Sequence, residues 1–275
     1  MIEAAAPAKI NLTLRVVGKR PDGFHEIETL IVPILLSDRL TIEEAPEWTF
    51  ACDDPTLPGD ESNLVVRAAR LFFAETELKA EVRIHLAKAI PHGAGLGGGS
   101  SDAAATLRLL DQYYGTRLAK EKLIGMAAEL GSDVPVFIEG KPAWCRGRGE
   151  IVERANFSTR LPILLLKPGF AVPTPWAYKH WAESHPPAGV RYDPQEFPWG
   201  RLENGLERPV FEKYLILAAI KEWLRGQPET TGALMAGSGS TMFALLRERG
   251  LGESLAHRAK EMFGSGLWTL ETIAG

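Results

Sequence analysis

The sequence predicts an α+β fold organised in two domains. Strand-like and helix-like segments mix along the 275 residues without strict alternation, which favours α+β over a doubly wound parallel sheet. The length suits one large or two medium domains, at about 100–200 residues each. We expect an N-terminal domain over residues 1–155 and a C-terminal domain over residues 156–275.

Hydrophobic alternation and helix-capping residues locate the elements of the first half. Alternation every two residues predicts strands, whereas apolar residues every three to four positions predict helices. Asn63 with Ser62 is expected to cap the first helix, and Gly115 to end the second. Residues 18–25, GKRPDGFH, are expected to form a turn-rich loop. The predicted elements are strands at Ile10–Val17, Ile27–Leu36, Leu40–Ile42 and Val82–Leu86, and helices at Leu64–Glu77, from Ser101 to Tyr114 and at Leu118–Leu130.

The second half has a different order of elements. Thr174 is expected to cap a helix that begins at Pro175, because proline favours the first helical position. A Gly-Ser-Gly-Ser turn at residues 237–240 lies between two apolar runs within Ala233–Leu246. The other predicted elements are a buried strand at Leu161–Lys167, helices at Pro175–Glu183, Pro209–Arg225 and Glu253–Phe263, and a terminal strand at Leu267–Ile273.

Composition excludes several classes of protein. The 31 basic and 35 acidic side chains give a net charge of −4, which argues against a general nucleic-acid binder. Two cysteines exclude a disulfide framework, and no CxxC or Cys/His cluster suggests a zinc site. No apolar run has the length of a membrane span, and the N-terminus lacks the pattern of a secretory signal. We therefore expect a cytoplasmic enzyme or binding protein with neither nucleic acid nor membrane as its partner.

The most informative segment is PHGAGLGGGSS, residues 91–101, with five glycines in seven positions. So many glycines increase the backbone entropy that is lost on folding, so a structural reason is expected. The usual reason for a glycine-rich segment before a helix is that a ligand closely approaches the backbone amides there. The two serines supply hydroxyl groups, and Ser101 or Asp102 is expected to cap the following helix. The alternative is a flexible or tightly packed turn.

Three familiar phosphate loops do not account for this segment. Gly93, Gly95 and Gly98 have the spacing of a dinucleotide loop, but the acid that should follow, Asp111, lies inside the next helix. A Walker A loop requires lysine where the chain has Gly99. The H-R-D and D-F-G motifs of protein kinases are absent.

The segment instead resembles the P-x-G-x-G-L-G-S-S signature of the GHMP kinases, which include galactokinase, homoserine kinase and mevalonate kinase. Four further segments resemble one member of that family: PAKINLTLRVVGKRPDGFHEIETLI, LGSDVPVFIEG, PGFAVPTPWAY and GSGS. The resemblance implies an N-terminal α+β nucleotide-binding domain, a ferredoxin-like C-terminal domain and an active site in the cleft between them. It also implies ATP-dependent phosphorylation of the 2-hydroxyl of a small molecule, a cytidine-diphosphate-linked methylerythritol, in isoprenoid precursor synthesis.

The resemblance assigns roles to individual residues. Asp133 would be the catalytic base, with Lys9 beside it, and Asn11 would bind the substrate polyol. Phe24, His25 and Tyr178 would hold the cytosine; Phe24 stands where tyrosine is common, so a hydroxyl contact is lost. The ATP-binding residues would be Pro91, His92, Gly93, Ala94, Gly95, Leu96, Gly97, Gly98, Gly99, Ser100 and Ser101.

Taken alone, these residue types have simpler interpretations. Asp133 suits a turn or a helix cap, Lys9 a solvated strand end, and Asn11 a strand edge. His25 would be a surface or core histidine, and Tyr178 a core-packing residue.

The metal and three other features leave questions open. No metal cage is evident, so Mg²⁺ is expected to bind through the ATP phosphates. Arg146 and Arg148 either meet a substrate diphosphate or lie in a solvated loop. The GSGS turn is expected near the phosphates or as a plain tight turn. Asn204-Gly205 stands where the family leads us to expect Asn-Asp, so a carboxylate role there is in doubt.

Three alternative functions remain at this point. A GHMP kinase for a small alcohol such as homoserine or mevalonate would share the loop but not the cytosine aromatics. A nucleotide-binding sensor would bind ATP without turnover, and a dinucleotide-dependent oxidoreductase would bind NADH. The sequence predicts no oligomeric state.

Overall fold

The computed structural model describes Met1–Gly275, and the chain divides into two compact units. The first unit comprises Met1–Ala8, Leu36–Pro91 and Gly97–Lys141. The second unit comprises Lys9–Leu35, His92–Leu96 and Pro142–Gly275. The sequence-based domain boundary at residue 155 stays a prediction.

Strands and helices are mixed along the chain, as the α+β prediction requires. The strands are β1 (Ile2–Lys19), β2 (His25–Glu44), β3 (Thr49–Cys52), β4 (Val82–Ala87), β5 (Ala143–Gly147), β6 (Ile151–Arg154), β7 (Leu161–Lys167), β8 (Gln195–Phe197), β9 (Gly200–Asn204), β10 (Thr230–Met235), β11 (Met242–Leu246) and β12 (Trp268–Ala274). The helices are α1 (Leu64–Thr76), α2 (Gly98–Tyr114), α3 (Lys120–Leu130), α4 (Val136–Glu139), α5 (Thr174–Lys179), α6 (Glu207–Lys213), α7 (Leu215–Arg225) and α8 (Gly252–Phe263).

Several element boundaries differ from the sequence-based predictions. β1 begins eight residues earlier than expected, at Ile2, and β2 joins two predicted strands into one. Helix α3 begins at Lys120 rather than Leu118. Strands β3, β5, β6, β8 and β9 and the short helix α4 had not been anticipated.

Two of the three helices predicted in the second unit differ from the observed helices. The helix expected over Pro209–Arg225 is broken at Tyr214, where φ is −114° and ψ is 69°. At this break the Tyr214 ring stacks on Phe170, with 5.2 Å between the ring centroids. Helix α5 ends at Lys179 instead of Glu183. At this end the His180 ring stacks on Trp176, and its Nδ1 bonds the Trp176 carbonyl at 2.8 Å.

The first unit packs helices against a small sheet. Residues 39–44 of β2 pair antiparallel with β4, and β3 adds to β4 in parallel. Asn63 caps α1 as predicted, since its side chain accepts from the Val65 N–H at 2.9 Å. Helices α1, α2 and α3 pack on one another, with Phe72 and Leu107 fully buried.

The second unit contains the ferredoxin-like arrangement. Its main sheet runs β10-β11-β7-β12-β2-β1-β9-β8. Within it, β7, α6–α7, β10, β11, α8 and β12 form a βαββαβ unit, with α5, β8 and β9 inserted after β7. Its four strands pair antiparallel in the order β12-β7-β11-β10. This confirms the predicted ferredoxin-like domain. None of the helices of the chain combines the length and the apolar character needed to cross a bilayer.

A buried ion cluster lies at the start of α2 in the first unit. The Lys88 ammonium contacts the Asp38 carboxylate and bonds Asp102 Oδ2 at 2.8 Å. Asp38 Oδ1 also accepts from the backbone N–H groups of Ala89 at 2.6 Å and Ile90 at 2.8 Å. All three charged side chains are nearly inaccessible to solvent. The cluster therefore ties the β4–α2 connection to β2.

We expect Lys88→Met to lower the free energy of unfolding by about 3–5 kcal/mol, because it leaves two buried carboxylates without their cation. Urea denaturation measures the change. Lys88→Met combined with Asp102→Asn removes one of those carboxylates and should recover part of the loss. A Lys88→Met protein as stable as the parent would contradict this account.

Candidate active site

The first half of the glycine-rich segment is held by backbone contacts in the second unit. The Lys9 N–H donates to the Leu96 carbonyl at 2.9 Å, and the Thr241 N–H donates to the Ala94 carbonyl at 3.2 Å. Gly95 has φ +76°, and a Cβ there would overlap the Ala236 carbonyl and lie 2.9 Å from that of Gly239. Only glycine fits this position, and the segment is locked to β1 and to the GSGS turn.

Lys9 and Asn11 lie on one face of β1, as their two-residue spacing predicts. They are 3% and 2% exposed, and Lys9 Nζ donates to Asn11 Oδ1 at 2.7 Å. Asn11 Nδ2 donates in turn to Thr29 Oγ1 at 2.8 Å. A Cβ at Gly237 would stand 3.3 Å from Lys9 Nζ and 2.9 Å from the Gly95 carbonyl. The Lys9 ammonium is thus fixed where the glycine-rich segment meets the GSGS turn, and it is not a solvated strand end.

The second half of the segment forms the N-terminus of α2 in the first unit. The helix begins at Gly98, and Gly97 is its N-cap with φ 73°. The prediction that Ser101 or Asp102 caps this helix was therefore wrong. The Ser101 N–H already donates to the Gly97 carbonyl at 2.9 Å, so the left-handed Gly97 caps the helix four residues before Ser101.

Two buried oxygens at this helix start have no hydrogen-bond partner. They are Ser101 Oγ and Asp102 Oδ1. Burial raises the pKa of Asp102 to about 7, although the adjacent Lys88 ammonium opposes that shift. Buried oxygens without a partner are uncommon in native proteins, and a cation or a water molecule would satisfy both of these. The amides and positive end of α2 favour an anion such as phosphate, accompanied by a cation that these oxygens would suit.

Asp133 lies in the first unit, in the turn between α3 and α4. It is half-buried, and the turn is closed by the Val134 N–H bonding the Gly131 carbonyl at 3.1 Å. Val134 is fully buried, which anchors the turn. Its position suits a turn aspartate, and its catalytic role stays a prediction.

An aromatic cluster in the second unit brings together two of the three residues expected to hold cytosine. The rings of His25 and Tyr178 lie 5.4 Å apart with 32° between their planes. Trp181 packs edge-on against His25 at 6.0 Å. Burial and the nearby Lys19 lower the pKa of His25, so the imidazole is neutral at pH 7. Trp181 had not been singled out, although it follows Tyr178 at the three-residue spacing typical of neighbours on a helix face.

Phe24 is 49% exposed, and its ring contact is with Arg148. The guanidinium carbon lies 4.7 Å from the ring centroid, which is a cation–π contact. Arg146 instead bonds Glu153 at 2.6 Å and lies 3.7 Å from Glu28. Both arginines therefore have partners within the protein.

Asn204 supports the GSGS turn. Its Nδ2 donates to the carbonyls of Met235 at 2.8 Å and Gly237 at 2.7 Å, while its Oδ1 accepts from the Leu206 N–H at 2.9 Å. Gly205 lies against β1 and donates its N–H to the Leu14 carbonyl at 2.8 Å. The GSGS turn is the predicted connection between β10 and β11, and it contacts both the glycine-rich segment and Lys9.

We expect Gly95→Ala to abolish measurable ATP binding, because its Cβ would force the glycine-rich segment away from the GSGS turn. Titration calorimetry with ATP measures the loss, and circular dichroism checks the fold. Gly125→Ala is the control, since a Cβ in that helix meets nothing within 4 Å. Wild-type ATP affinity in Gly95→Ala would show that this contact is dispensable.

Comparison with known proteins identifies the family. The GHMP kinases N terminal domain matches residues 63–141, and GHMP kinases C terminal matches residues 197–265. The chain is 44% identical to the 4-diphosphocytidyl-2-C-methyl-D-erythritol kinase of Methylacidiphilum infernorum, over 97% of this chain and 94% of the relative. It is 41% identical to that of Protochlamydia amoebophila, over 89% of this chain and 84% of the relative.

A solved structure supports the same conclusion. The crystal structure of a 4-(cytidine 5'-diphospho)-2C-methyl-D-erythritol kinase superposes with a TM-score of 0.81 at 35% identity, covering 100% of this chain and 99% of the other. These matches confirm the resemblance and the fold class predicted from sequence. The chain therefore belongs to the GHMP kinase family and, within it, to the 4-diphosphocytidyl-2-C-methyl-D-erythritol kinases.

Proposed function

We propose that the chain transfers the γ-phosphoryl group of ATP to the 2-hydroxyl of 4-diphosphocytidyl-2-C-methyl-D-erythritol. Membership of the family supports a kinase and argues against the oxidoreductase alternative. The observation that carries the choice of substrate is the cluster of His25, Tyr178 and Trp181, a ready surface for a flat base. Homoserine and mevalonate have no aromatic group that would use this surface.

Cytosine recognition would combine stacking with hydrogen bonding. A neutral imidazole has one donor and one acceptor nitrogen, so His25 can match the amino group and an acceptor on the base edge. Tyr178 would stack on the base, an interaction worth about 1–3 kcal/mol. Phe24, which is 49% exposed and contacts Arg148, would add a further aromatic surface for the base.

ATP would bind through the glycine-rich segment. Residues 97–100 offer backbone amides at the N-terminus of α2, and Gly93 and Gly95 add no side chains to the preceding part of the segment. The unpartnered oxygens of Ser101 and Asp102 are of the hard type that Mg²⁺ prefers, so they would hold the ion beside the phosphates. When bound, Mg²⁺ would neutralise charge that develops on the transferred group.

The chemical step would use Asp133 and Lys9. Asp133 would take the proton of the 2-hydroxyl as that oxygen forms its bond to the γ-phosphorus and the bond to ADP breaks. The Lys9 ammonium, oriented by Asn11, would stabilise negative charge on the reacting groups. Asn11 would also offer its amide to the polyol. A cytoplasmic location, where ATP is supplied, belongs to this proposal.

We expect Asp133→Ala to lower kcat by about 10²–10⁴-fold, the usual contribution of a general base. ATP affinity should stay near the parent value, because Asp133 is not among the residues assigned to the nucleotide. ADP release with the cytidyl substrate measures turnover, and calorimetry measures ATP binding. An unaffected rate would refute the assigned base, and a parent protein that binds ATP without turnover would favour the sensor alternative.

The cytosine assignment is tested by Tyr178→Ala, with Tyr178→Phe as the matched control that keeps the ring. Loss of about 1–3 kcal/mol of stacking should raise the KM for the cytidyl substrate about 5- to 150-fold, with the KM for ATP unchanged. Tyr178→Phe should stay close to the parent. Equal KM values in all three proteins would argue for a small-alcohol substrate instead.

A further inference from the structure

A second buried ion pair, Glu207 with Lys221, lies in the second unit and has no role in the reaction described so far. Both residues are 1% exposed, and the Lys221 ammonium contacts Glu207 Oε2. Lys221 Nζ also donates to the Arg191 carbonyl at 2.8 Å. The rings of Tyr192 and Phe211 flank the ammonium at 5.4 and 5.7 Å. The pair is sealed from solvent.

Stability alone does not explain such a pair. Desolvation of two charges offsets most of their attraction, and well-packed apolar residues in their place are often as stable. The second carboxylate oxygen of Glu207, Oε1, has a specific backbone partner. Glu207 Oε1 accepts a hydrogen bond from the Met235 N–H at 2.9 Å.

Met235 is the last residue of β10 and leads into the GSGS turn. Its N–H is held by Glu207, and its carbonyl is held by Asn204 at 2.8 Å. Asn204 and Glu207 lie three residues apart, at the end of β9 and the start of α6. Both backbone groups of Met235 are therefore fixed by side chains from one short segment.

The GSGS turn connects Met235 to the glycine-rich segment and to Lys9. Beyond Met235, the Ala236 N–H donates to the Thr241 carbonyl at 2.8 Å, and the Thr241 N–H donates to the Ala94 carbonyl. Gly237 lies against the Gly95 carbonyl and Lys9 Nζ. A shift of the chain at Met235 would move the surface against which the glycine-rich segment and Lys9 rest.

We propose that Glu207 is a positioning residue for phosphoryl transfer: its bond to the Met235 N–H sets the GSGS turn, and Lys221 compensates the charge of the buried carboxylate. The proposal rests on the proposed use of the glycine-rich segment for ATP. In this proposal the position of the turn depends on a hydrogen-bond acceptor oxygen at residue 207 and not on the negative charge of that residue.

Two double variants separate the acceptor from the charge. Glu207→Gln with Lys221→Met removes both charges and keeps an oxygen for the Met235 N–H. Glu207→Leu with Lys221→Met removes both charges and the oxygen. Each is assayed below its own unfolding midpoint, so that both are folded, and ATP affinity is measured by calorimetry apart from turnover.

The Glu207→Leu double variant should weaken ATP binding about 10-fold, the scale of one buried hydrogen bond, and lower kcat. The Glu207→Gln double variant should retain most of the parent affinity and kcat, and the KM for the cytidyl substrate should be unchanged in both. Equal ATP affinity in the two variants, whether both high or both low, would overturn the proposal. Because the affinity is measured without the cytidyl substrate, a wrong substrate would appear only as absent turnover in the parent.

Discussion

The contact on which the site depends is one between two backbones. The chain at Gly95 runs so close to the carbonyls of Ala236 and Gly239 that no side chain fits between them. The glycine-rich segment and the GSGS turn therefore define each other's position. The bonds of Ala94 to Thr241 and of Leu96 to Lys9 continue the contact on both sides. The Lys9 ammonium is placed by the same arrangement.

A backbone contact of this kind has little freedom to adjust. Side chains can repack around a small displacement. Two backbone segments in direct contact, here at Gly95 and in the GSGS turn, have no side chains between them that could repack. The turn must therefore be held from its far side. Asn204 and Glu207 do this by bonding the peptide groups at Met235 and Gly237, which explains polar side chains in an otherwise apolar core.

Local signals allowed much of the fold and part of the site to be predicted from sequence. The Asn63 cap, the GSGS turn between two apolar runs and the Lys9–Asn11 face follow from residues close in sequence. The helical sequence pattern continues through Tyr214, although the helix breaks there and the Tyr214 ring packs on Phe170, 44 positions away. The predicted start of α2 was wrong because the helix is capped by Gly97, in a left-handed conformation, and not by a preferred capping residue such as serine or aspartate. The Glu207–Lys221 pair was missed because two charged residues in helices usually indicate a solvated face.

The acidic composition and the polyanionic ligands are compatible for a physical reason. Nucleic-acid binding depends on many basic side chains, and these appear in the net charge. A nucleotide phosphate needs only a few amides at a helix N-terminus and one or two cations, and amides carry no formal charge. Lys88 and Lys221 are balanced by buried carboxylates within their own units, so they add little to the outward field. A net charge of −4 therefore argues against a nucleic-acid partner and says nothing against ATP.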